Sequence, residues 1–346
     1  MSTGILSATT FGTFPSAVTV PQTVSGGGLP SPERIREEIS HVLNKTLSSA
    51  LEHWAAAYAQ HGKRNMYLWK WCRQGVEVTT LPCVLPELRE ELCDTKVLGV
   101  MLDVLLDDIA DQKGDDDLLE QLLDLPSSRA EIDLSRQPAE RRQYAEFTIA
   151  VWNEIQSRAR RFPCFDGYSR LLNFDYVQLF NVMRYSHLLN EDLSLLNIVE
   201  HDLYTPHNMH MMISGTLDLM CSPRFNRAEL GALREALWHG QCMGRIGNLV
   251  TTWERELGEK DYTSGVYARA VMTGDLSLDD LHRGDHGQIR AGIGHGRHED
   301  HFLAKWQWHR EQLLARVPAV KSVDLRQLVA GLERLICLHL GSRGYK

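Results

Sequence analysis

Residues 96–111 read KVLGVMLDVLLDDIAD, the most informative run in the sequence. It holds no proline and its apolar residues recur at helical spacing, which predicts a buried or half-buried helix. Asp107 and Asp111 lie one turn apart on that helix, and Asp108 precedes Asp111 by three residues, so three carboxylates point at one spot. Ionised carboxylates placed in this way repel each other and resist desolvation. A magnesium ion, which prefers oxygen ligands, would remove both penalties; the alternative is an acidic helix end on the surface.

A second long helix is predicted from Glu235 to Gly258, where apolar residues again recur at helical spacing. Its polar stripe, at positions i, i+4 and i+8, consists of Asn248, Thr252 and Glu256. An amide oxygen, a hydroxyl and a carboxylate in line form a suitable site for a hard cation. Arg245 and Arg255 flank the stripe, and guanidinium groups match phosphate geometry. The alternative is a solvent-exposed stripe with Arg–Glu pairs.

Together the two patterns resemble the motifs of class I terpene synthases (terpene cyclases). That family has an aspartate-rich DDxxD motif on one helix and an Asn/Asp-x-x-x-Ser/Thr-x-x-x-Glu motif on another, well over a hundred residues apart. The matching residues here are Asp107, Asp108 and Asp111, then Asn248, Thr252 and Glu256. The resemblance covers roughly residues 31–346. It implies an all-α fold, with one helical bundle around a central apolar cavity.

The resemblance also implies a set of ligands. The two motifs would hold three magnesium ions, with manganese as an alternative, and these ions would grip an isoprenoid diphosphate. Arg255 matches a basic residue that contacts the diphosphate directly before the final Glu of the second motif. Arg343 and Tyr345 resemble a C-terminal Arg-Tyr pair of bacterial members, with one residue inserted between them. We therefore expect Arg245, Arg255 and Arg343 to bind diphosphate, and Arg255 and Tyr345 to act in catalysis with the three aspartates.

One departure from the family concerns the residue that senses the diphosphate. Bacterial members usually place an Arg some 45 residues before the second motif, but residues 202–218 contain no Arg. His210 lies in that region and is the candidate for the diphosphate contact, with Arg184 as an alternative. The run from Arg245 to Gly265 most resembles bacterial diterpene synthases, which favours a C20 substrate of the geranylgeranyl or copalyl type. Farnesyl diphosphate, a C15 substrate, is the alternative.

Ionisation of such a diphosphate leaves an allylic carbocation, which must be shielded from water. Apolar and aromatic walls supply the shielding, and ring faces stabilise cations. The candidates in the middle of the chain are Trp152, Tyr176 and Phe180, for which ordinary core packing is the competing interpretation.

The composition limits the other functions. At 346 residues and 43% hydrophobic, the chain can bury one sizeable core. A net charge of −8 argues against a nucleic-acid partner. Seven scattered cysteines without a CxxC pattern indicate free thiols in a reducing compartment, and we expect a cytoplasmic location. No apolar run reaches the roughly 18 residues of a membrane span. A homodimer is one option for assembly.

Residues 1–30 are expected to form a flexible tail and residues 31–346 the helical domain, with Ser31 capping the first helix. The clearest predicted helices are Ile35–Ala59, Glu87–Ile109, Ala139–Arg161, Asp175–His187, Ala228–Leu257 and Asp324–Leu340. Residues 282–301 hold several histidines, arginines and glycines. We predict a mobile polar loop there, rather than a metal site at His295, His298 and His301, and Arg290 and Arg297 as further candidates for the diphosphate.

Two rival functions remain open. A prenyl chain-elongating synthase would carry a second aspartate-rich motif in place of Asn248, Thr252 and Glu256, and the sequence has none. A non-catalytic helical interaction protein would bind no ligand in a magnesium-dependent way.

Overall fold

The computed structural model describes residues 30–110, 116–127, 132–135 and 137–344. In these ranges the secondary structure is helical, with no strand. The helices are α1 Pro32–Leu43, α2 Ser49–Tyr58, α3 Met66–Thr79, α4 Arg89–Ala110, α5 Asp116–Leu123, α6 Ala139–Ala159, α7 Phe165–Glu191, α8 Ile198–Tyr204, α9 Met211–Met220, α10 Leu230–Glu259, α11 Gly265–Thr273, α12 Leu278–Arg283, α13 His286–His295, α14 His298–Leu314 and α15 Leu325–Gly341. Short 3-10 turns occupy Pro86–Leu88, Leu193–Leu195, Thr205–Met209, Arg227–Glu229 and Val317–Ala319. The all-α class is therefore confirmed.

The helices surround a central cavity. Helix α10 packs against α9, α14 and α15, and α4 packs against α3, α6 and α7. Helices α3, α4, α9, α10 and α15 all contribute side chains to the cavity wall. The predicted bundle with an apolar centre is thus the observed architecture.

Two ion pairs, one fully buried and one with a buried carboxylate, join α4 and α10 to neighbouring helices. Lys96 on α4 contacts Asp218 on α9 at 2.5 Å, and both side chains are about 1% exposed. Asp175 on α7 receives two hydrogen bonds from Arg234 on α10, at 2.7 and 3.1 Å. Breaking one partner of such a pair leaves an uncompensated buried charge, which typically costs about 3–5 kcal/mol. These pairs therefore fix α4 and α10, the two helices that carry the predicted motifs.

Helix boundaries differ from the sequence predictions at two places near the N-terminus and in α7. The region Ile35–Ala59 forms two helices rather than one, because Ser48 caps a new helix by accepting a hydrogen bond from Leu51 N–H at 3.1 Å. Helix α7 is longer than Asp175–His187 and begins at Phe165. Ser31 caps α1 as expected, accepting from Arg34 N–H at 3.4 Å.

The prediction of a mobile loop over residues 282–301 is wrong, since this segment forms the end of α12, all of α13 and the start of α14. The glycines of this segment end a helix or allow close packing, and they do not prevent helix formation. Gly284 ends α12 in the left-handed conformation, at φ 66°, which glycine adopts without strain. Gly292 lies so close to Asp275 that a Cβ atom would come within 2.7 Å of its carbonyl oxygen. The glycine content of the segment did not reveal these two roles.

Candidate active site

Three helices bring their C-terminal turns to one polar cavity. Asp107 comes from the last described turn of α4, His187 and Asn190 from the end of α7, and Glu256 and Glu259 from the end of α10. The C-terminal end of a helix carries a partial negative charge, to which these acidic side chains add. The mouth of the bundle therefore attracts cations, and an anion would bind there only with cations beside it.

The polar cavity has a volume of about 150 Å³. Arg245 and Arg255 line it together with the acidic groups. Arg245 is buried and donates to Asn248 Oδ1 at 3.0 Å and to the Thr263 carbonyl at 3.4 Å. Arg255 pairs with Glu259 and lies 3.7 Å from Glu256. Both predicted diphosphate contacts are thus in the cavity wall, beside the predicted metal ligands.

The predicted stripe of α10 faces the cavity. Asn248 and Glu256 line the polar cavity, and Asn248 and Thr252 line the apolar cavity below it. Thr252 donates its hydroxyl proton to the Asn248 carbonyl at 3.0 Å, which leaves its oxygen lone pairs available as acceptors. The helix continues past the stripe to Lys260, whose left-handed conformation (φ 61°) closes its end. The solvent-face alternative for the stripe is therefore wrong.

Glu256 is the clearest reason to expect a cation at this site. Its side chain is only 8% exposed, and its Oε2 atom has no hydrogen-bond partner. Burial, reinforced by the charge of Asp261, raises the pKa of Glu256 to about 7. A buried carboxylate oxygen without a hydrogen bond is costly unless a positive charge beside it compensates the loss of water. The residues therefore fit a divalent cation bound by oxygen ligands.

The acidic side chains near the end of α4 lie on two different faces of the helix. Asp107 and Asp103, one turn earlier, line the polar cavity. Asp108 lines neither cavity: its Oδ2 accepts a hydrogen bond from the Tyr58 hydroxyl at 3.2 Å, and its Oδ1 lies 4.0 Å from Arg64 Nη2. Burial raises the pKa of Asp108. Asp111 lies outside the described residues, so the third position of the motif stays a prediction.

Below the polar cavity lies an apolar one of about 210 Å³, and the two share Asp103, Val104, Asn208, Met209, Asn248 and Arg255. Its inner wall is formed by Leu68, Trp71, Val76, Val100, Met211 and Leu335. Gly75 also lines it, and a Cβ atom there would meet Leu335 at 3.4 Å. The arrangement is a charged mouth above a mainly apolar interior.

His210 is the residue that connects the 3-10 turn Thr205–Met209 to α9. It has φ 57°, a left-handed conformation that is uncommon outside glycine. Its side chain lines the apolar cavity, is buried, and places Nε2 3.7 Å from Asp103 Oδ2. The predicted diphosphate contact is therefore at the cavity wall, next to an acidic group of α4.

Other predicted residues lie elsewhere. Arg343 pairs with Glu254 and Glu299 and lines neither cavity, and Arg184 pairs with Glu120 and Asp124. Trp152, Tyr176 and Phe180 pack against one another in the core and line neither cavity, so core packing is their observed role. Arg297 pairs with Asp300 on the surface, Arg290 lines neither cavity, and Tyr345 lies outside the described residues.

Several cavity residues, among them Asp103, Arg64 and Trp71, were not predicted from the sequence. Asp103 precedes Asp107 by one turn of the same helix, so its spacing could have identified it. Arg64 and Trp71 come from the loop before α3 and from α3 itself, and no spacing links them to either motif. Only the tertiary structure places them beside α4 and α10.

The predicted metal ligands do not form a ready-made cluster. Among the His, Cys, Asp and Glu residues in the described ranges, the group with ligand atoms within 4.8 Å of one another is Asp116, His187 and Glu191. Asp116 and Glu191 are exposed, and acidic groups of this kind are common without a metal. Asp107 and Asn248 instead face one cavity from two helices, which suits cations that are also bound by a ligand between them.

The chain matches no protein-family model and no curated protein sequence. Two solved structures are similar to it. Abietadiene synthase from Abies grandis has a TM-score of 0.57 and 12% identity over 88% of this chain and 38% of that chain. Linalool/nerolidol synthase from Streptomyces clavuligerus, in complex with 2-fluorogeranyl diphosphate, has a TM-score of 0.51 and 14% identity over 93% of this chain and 98% of that chain.

The fold is that of the terpene synthases. The chain spans under two fifths of the length of abietadiene synthase and nearly the whole length of the linalool/nerolidol synthase. At these identities the likeness concerns the fold, so the activity rests on the site. No helix in the described part of the chain combines the length and the apolar character that a membrane crossing requires.

Proposed function

We propose that this protein is a class I terpene synthase, which ionises an isoprenoid diphosphate and cyclises the resulting carbocation to a terpene hydrocarbon or alcohol. One observation carries the proposal: Asp107 of α4 and the Asn248–Glu256 stripe of α10 face one polar cavity directly above an apolar one. The charged part of an amphipathic substrate fits the first cavity, and its carbon chain fits the second. The similarity in fold to an enzyme whose structure holds 2-fluorogeranyl diphosphate supports a substrate of this class.

The residues of the two motifs would hold the cations through their side-chain oxygens: Asp107, Asp108, Asp111, Asn248, Thr252 and Glu256. Bound magnesium supplies Lewis-acid stabilisation of the charge on the departing diphosphate. Arg245 and Arg255 of α10 also line the polar cavity and would donate hydrogen bonds to phosphate oxygens. Because both guanidiniums are already held by neighbours in the wall, their positions are set before the substrate arrives.

The apolar cavity performs the second part of the reaction. Its aliphatic wall excludes water from the cation, which would otherwise be quenched to an alcohol. Trp71 is the indole in this wall, and its ring face can stabilise a passing positive charge. Its Nε1–H donates to the Leu338 carbonyl at 3.2 Å, which fixes the ring on α3 against α15.

We favour a C20 substrate, a geranylgeranyl or copalyl-type diphosphate, because the run from Arg245 to Gly265 resembles that of diterpene synthases. A C15 sesquiterpene synthase acting on farnesyl diphosphate is the alternative. A non-catalytic interaction protein is less well supported, since it gives no reason for a buried Glu256 that lines a cavity with an Oε2 atom lacking a hydrogen-bond partner.

The experiment is an incubation with magnesium and, separately, geranyl, farnesyl, geranylgeranyl and copalyl diphosphates, with organic extracts analysed by gas chromatography and mass spectrometry. We expect a cyclic product from one C20 substrate, lost in Asp107→Ala and in Asn248→Ala. A longer diphosphate formed when isopentenyl diphosphate is added would indicate a chain-elongating synthase instead. No product and no diphosphate release with any substrate, from folded protein, would contradict the proposal.

A further inference from the structure

Arg64 is a cavity residue that neither motif contains. It lies in the loop between α2 and α3, and its side chain lines the apolar cavity together with Asn248, Thr252 and Arg255. That part of the wall adjoins the polar cavity, since Asn248 and Arg255 line both. A guanidinium is charged at every physiological pH, so Arg64 adds a fixed positive charge next to the predicted metal ligands.

Arg64 also lies near Asp108, which among the described motif residues lines neither cavity. Its Nη2 lies 4.0 Å from Asp108 Oδ1, a distance too long for a hydrogen bond. The other oxygen of Asp108 is held by Tyr58, whose ring is fully buried and packs edge-on against Trp69 at 4.8 Å. Arg64 therefore stands between Asp108 and the cavity, and its link to the carboxylate is loose.

The other two arginines of the cavities are held more firmly. Arg245 donates hydrogen bonds to Asn248 and to the Thr263 carbonyl, and Arg255 forms a close pair with Glu259. Among the arginines that line the two cavities in the described ranges, Arg64 thus has the weakest tie to the protein. At 4.0 Å, Asp108 forms no hydrogen bond with Arg64. A phosphate group could accept two parallel, charge-assisted hydrogen bonds from the Arg64 guanidinium.

We propose that Arg64 binds the diphosphate group, and that in doing so it leaves Asp108 and makes this carboxylate available to a divalent cation. The inference rests on the proposed function and deepens it, since diphosphate binding would then complete the α4 half of the metal site. It has a thermodynamic consequence. If diphosphate strengthens cation binding through Arg64 and Asp108, cations strengthen diphosphate binding by the same factor.

The test is isothermal titration of the full-length chain with inorganic diphosphate, at fixed magnesium concentrations. We compare the wild type with Arg64→Met, which keeps the length of the side chain without its charge, and with Arg64→Lys, which keeps the charge without the fork. Lys63→Met is the matched control, because Lys63 is exposed, lines neither cavity and acts on Asp108 only through its charge. Circular dichroism checks that each variant is folded.

We expect Arg64→Met to weaken diphosphate binding roughly tenfold or more and Arg64→Lys to weaken it less, because a lysine makes only point-charge contacts. Lys63→Met should change the affinity by less than about twofold. The gain in diphosphate affinity from added magnesium should also be smaller in Arg64→Met than in the wild type. Equal binding by the wild type, Arg64→Met and Arg64→Lys would overturn the inference alone. No binding of diphosphate by the wild type with magnesium present would overturn the proposed function as well.

Discussion

The two halves of the predicted metal site differ in how complete they are. On α10, Thr252 and Glu256 are buried and Asn248 is half-buried, and the Oε2 atom of Glu256, which lines the cavity, has no hydrogen-bond partner. On α4 only Asp107 of the described motif residues faces the cavity, while Asp108 accepts a hydrogen bond from Tyr58 and lies 4.0 Å from Arg64. The α10 half is therefore preformed, and we propose that the α4 half depends on the ligand. We therefore expect the α10 half to contribute most to activity and, through the burial of Glu256, to reduce stability most when no cation is bound.

The largest effect is expected from the preformed half. Glu256→Gln removes the charge of the buried ligand while keeping its shape, and we expect kcat/KM to fall by about 10²–10³-fold, as for other groups that stabilise charge in the transition state. Steady-state release of diphosphate measures it. Glu254→Gln is the control, since Glu254 is on the same helix but lines neither cavity. Equal losses in the two variants would show that the effect is structural.

The α4 half should show a graded response. We expect Asp107→Asn to lower kcat/KM by about 10²-fold and Asp108→Asn by about tenfold, because only Asp107 faces the cavity before the ligand binds. Both are measured by the same diphosphate assay at several magnesium concentrations. A larger loss in Asp108→Asn than in Asp107→Asn would contradict the assignment of the two faces.

The free-energy cost of burying an ionised Glu256 should appear as a pH dependence of stability. The pKa of Glu256 is about 7 when folded and 4.5 in the reference state, so the folded chain binds an extra proton between these values. The contribution of this group to stability is therefore highest below pH 4.5 and declines as the pH rises through 7, by at most about 3 kcal/mol at about 1.4 kcal/mol per pH unit. Without metal, the difference in Tm between Glu256→Gln and the wild type should grow from pH 5 to pH 8.

Other groups titrate in the same interval, so the difference between the two proteins is the informative quantity. His301, for example, has a pKa lowered by burial to about 4, which acts in the opposite direction but equally in both. A difference in Tm that is independent of pH would mean that Glu256 is already ionised and compensated.

The smallest effect is expected from Arg343. Its guanidinium is partly exposed and pairs with Glu254 and Glu299, so contact with a diphosphate would first require it to leave both. We expect Arg343→Ala to lower kcat/KM by less than about tenfold, which diphosphate release again measures. A loss comparable to that of Glu256→Gln would place Arg343 among the principal diphosphate ligands and the C-terminal segment over the cavity.

The sequence predicted correctly that Asn248, Thr252 and Glu256 share one face of a helix, because helical periodicity alone puts them there. It predicted the faces of α4 less well. Asp107 and Asp108 are adjacent, so one must turn away, and which one does depends on Tyr58 and Arg64 from another part of the chain. The same limit explains why the cavity aromatics were misplaced: Trp71 lies on a helix with no motif, and Trp152 packs in the core.

Local glycine content was also a poor guide. The glycines of residues 282–301 led to the prediction of a mobile polar loop with no scaffold to hold metal ligands, yet the segment is mostly helical. His298 is buried there and contacts Asp275 at 3.2 Å, and such tertiary contacts offset the low helix propensity of glycine. No property of the isolated segment reveals the partner that stabilises it.

We propose that cations bind between α4 and α10 at the mouth of the apolar cavity. A crystal structure with manganese and inorganic diphosphate, in which anomalous scattering locates the ions, would test this. We expect manganese bound by Asp107 on one side and by Asn248, Thr252 and Glu256 on the other, with the diphosphate between them. Manganese absent from this cavity, or bound only at Asp116, His187 and Glu191, would contradict it.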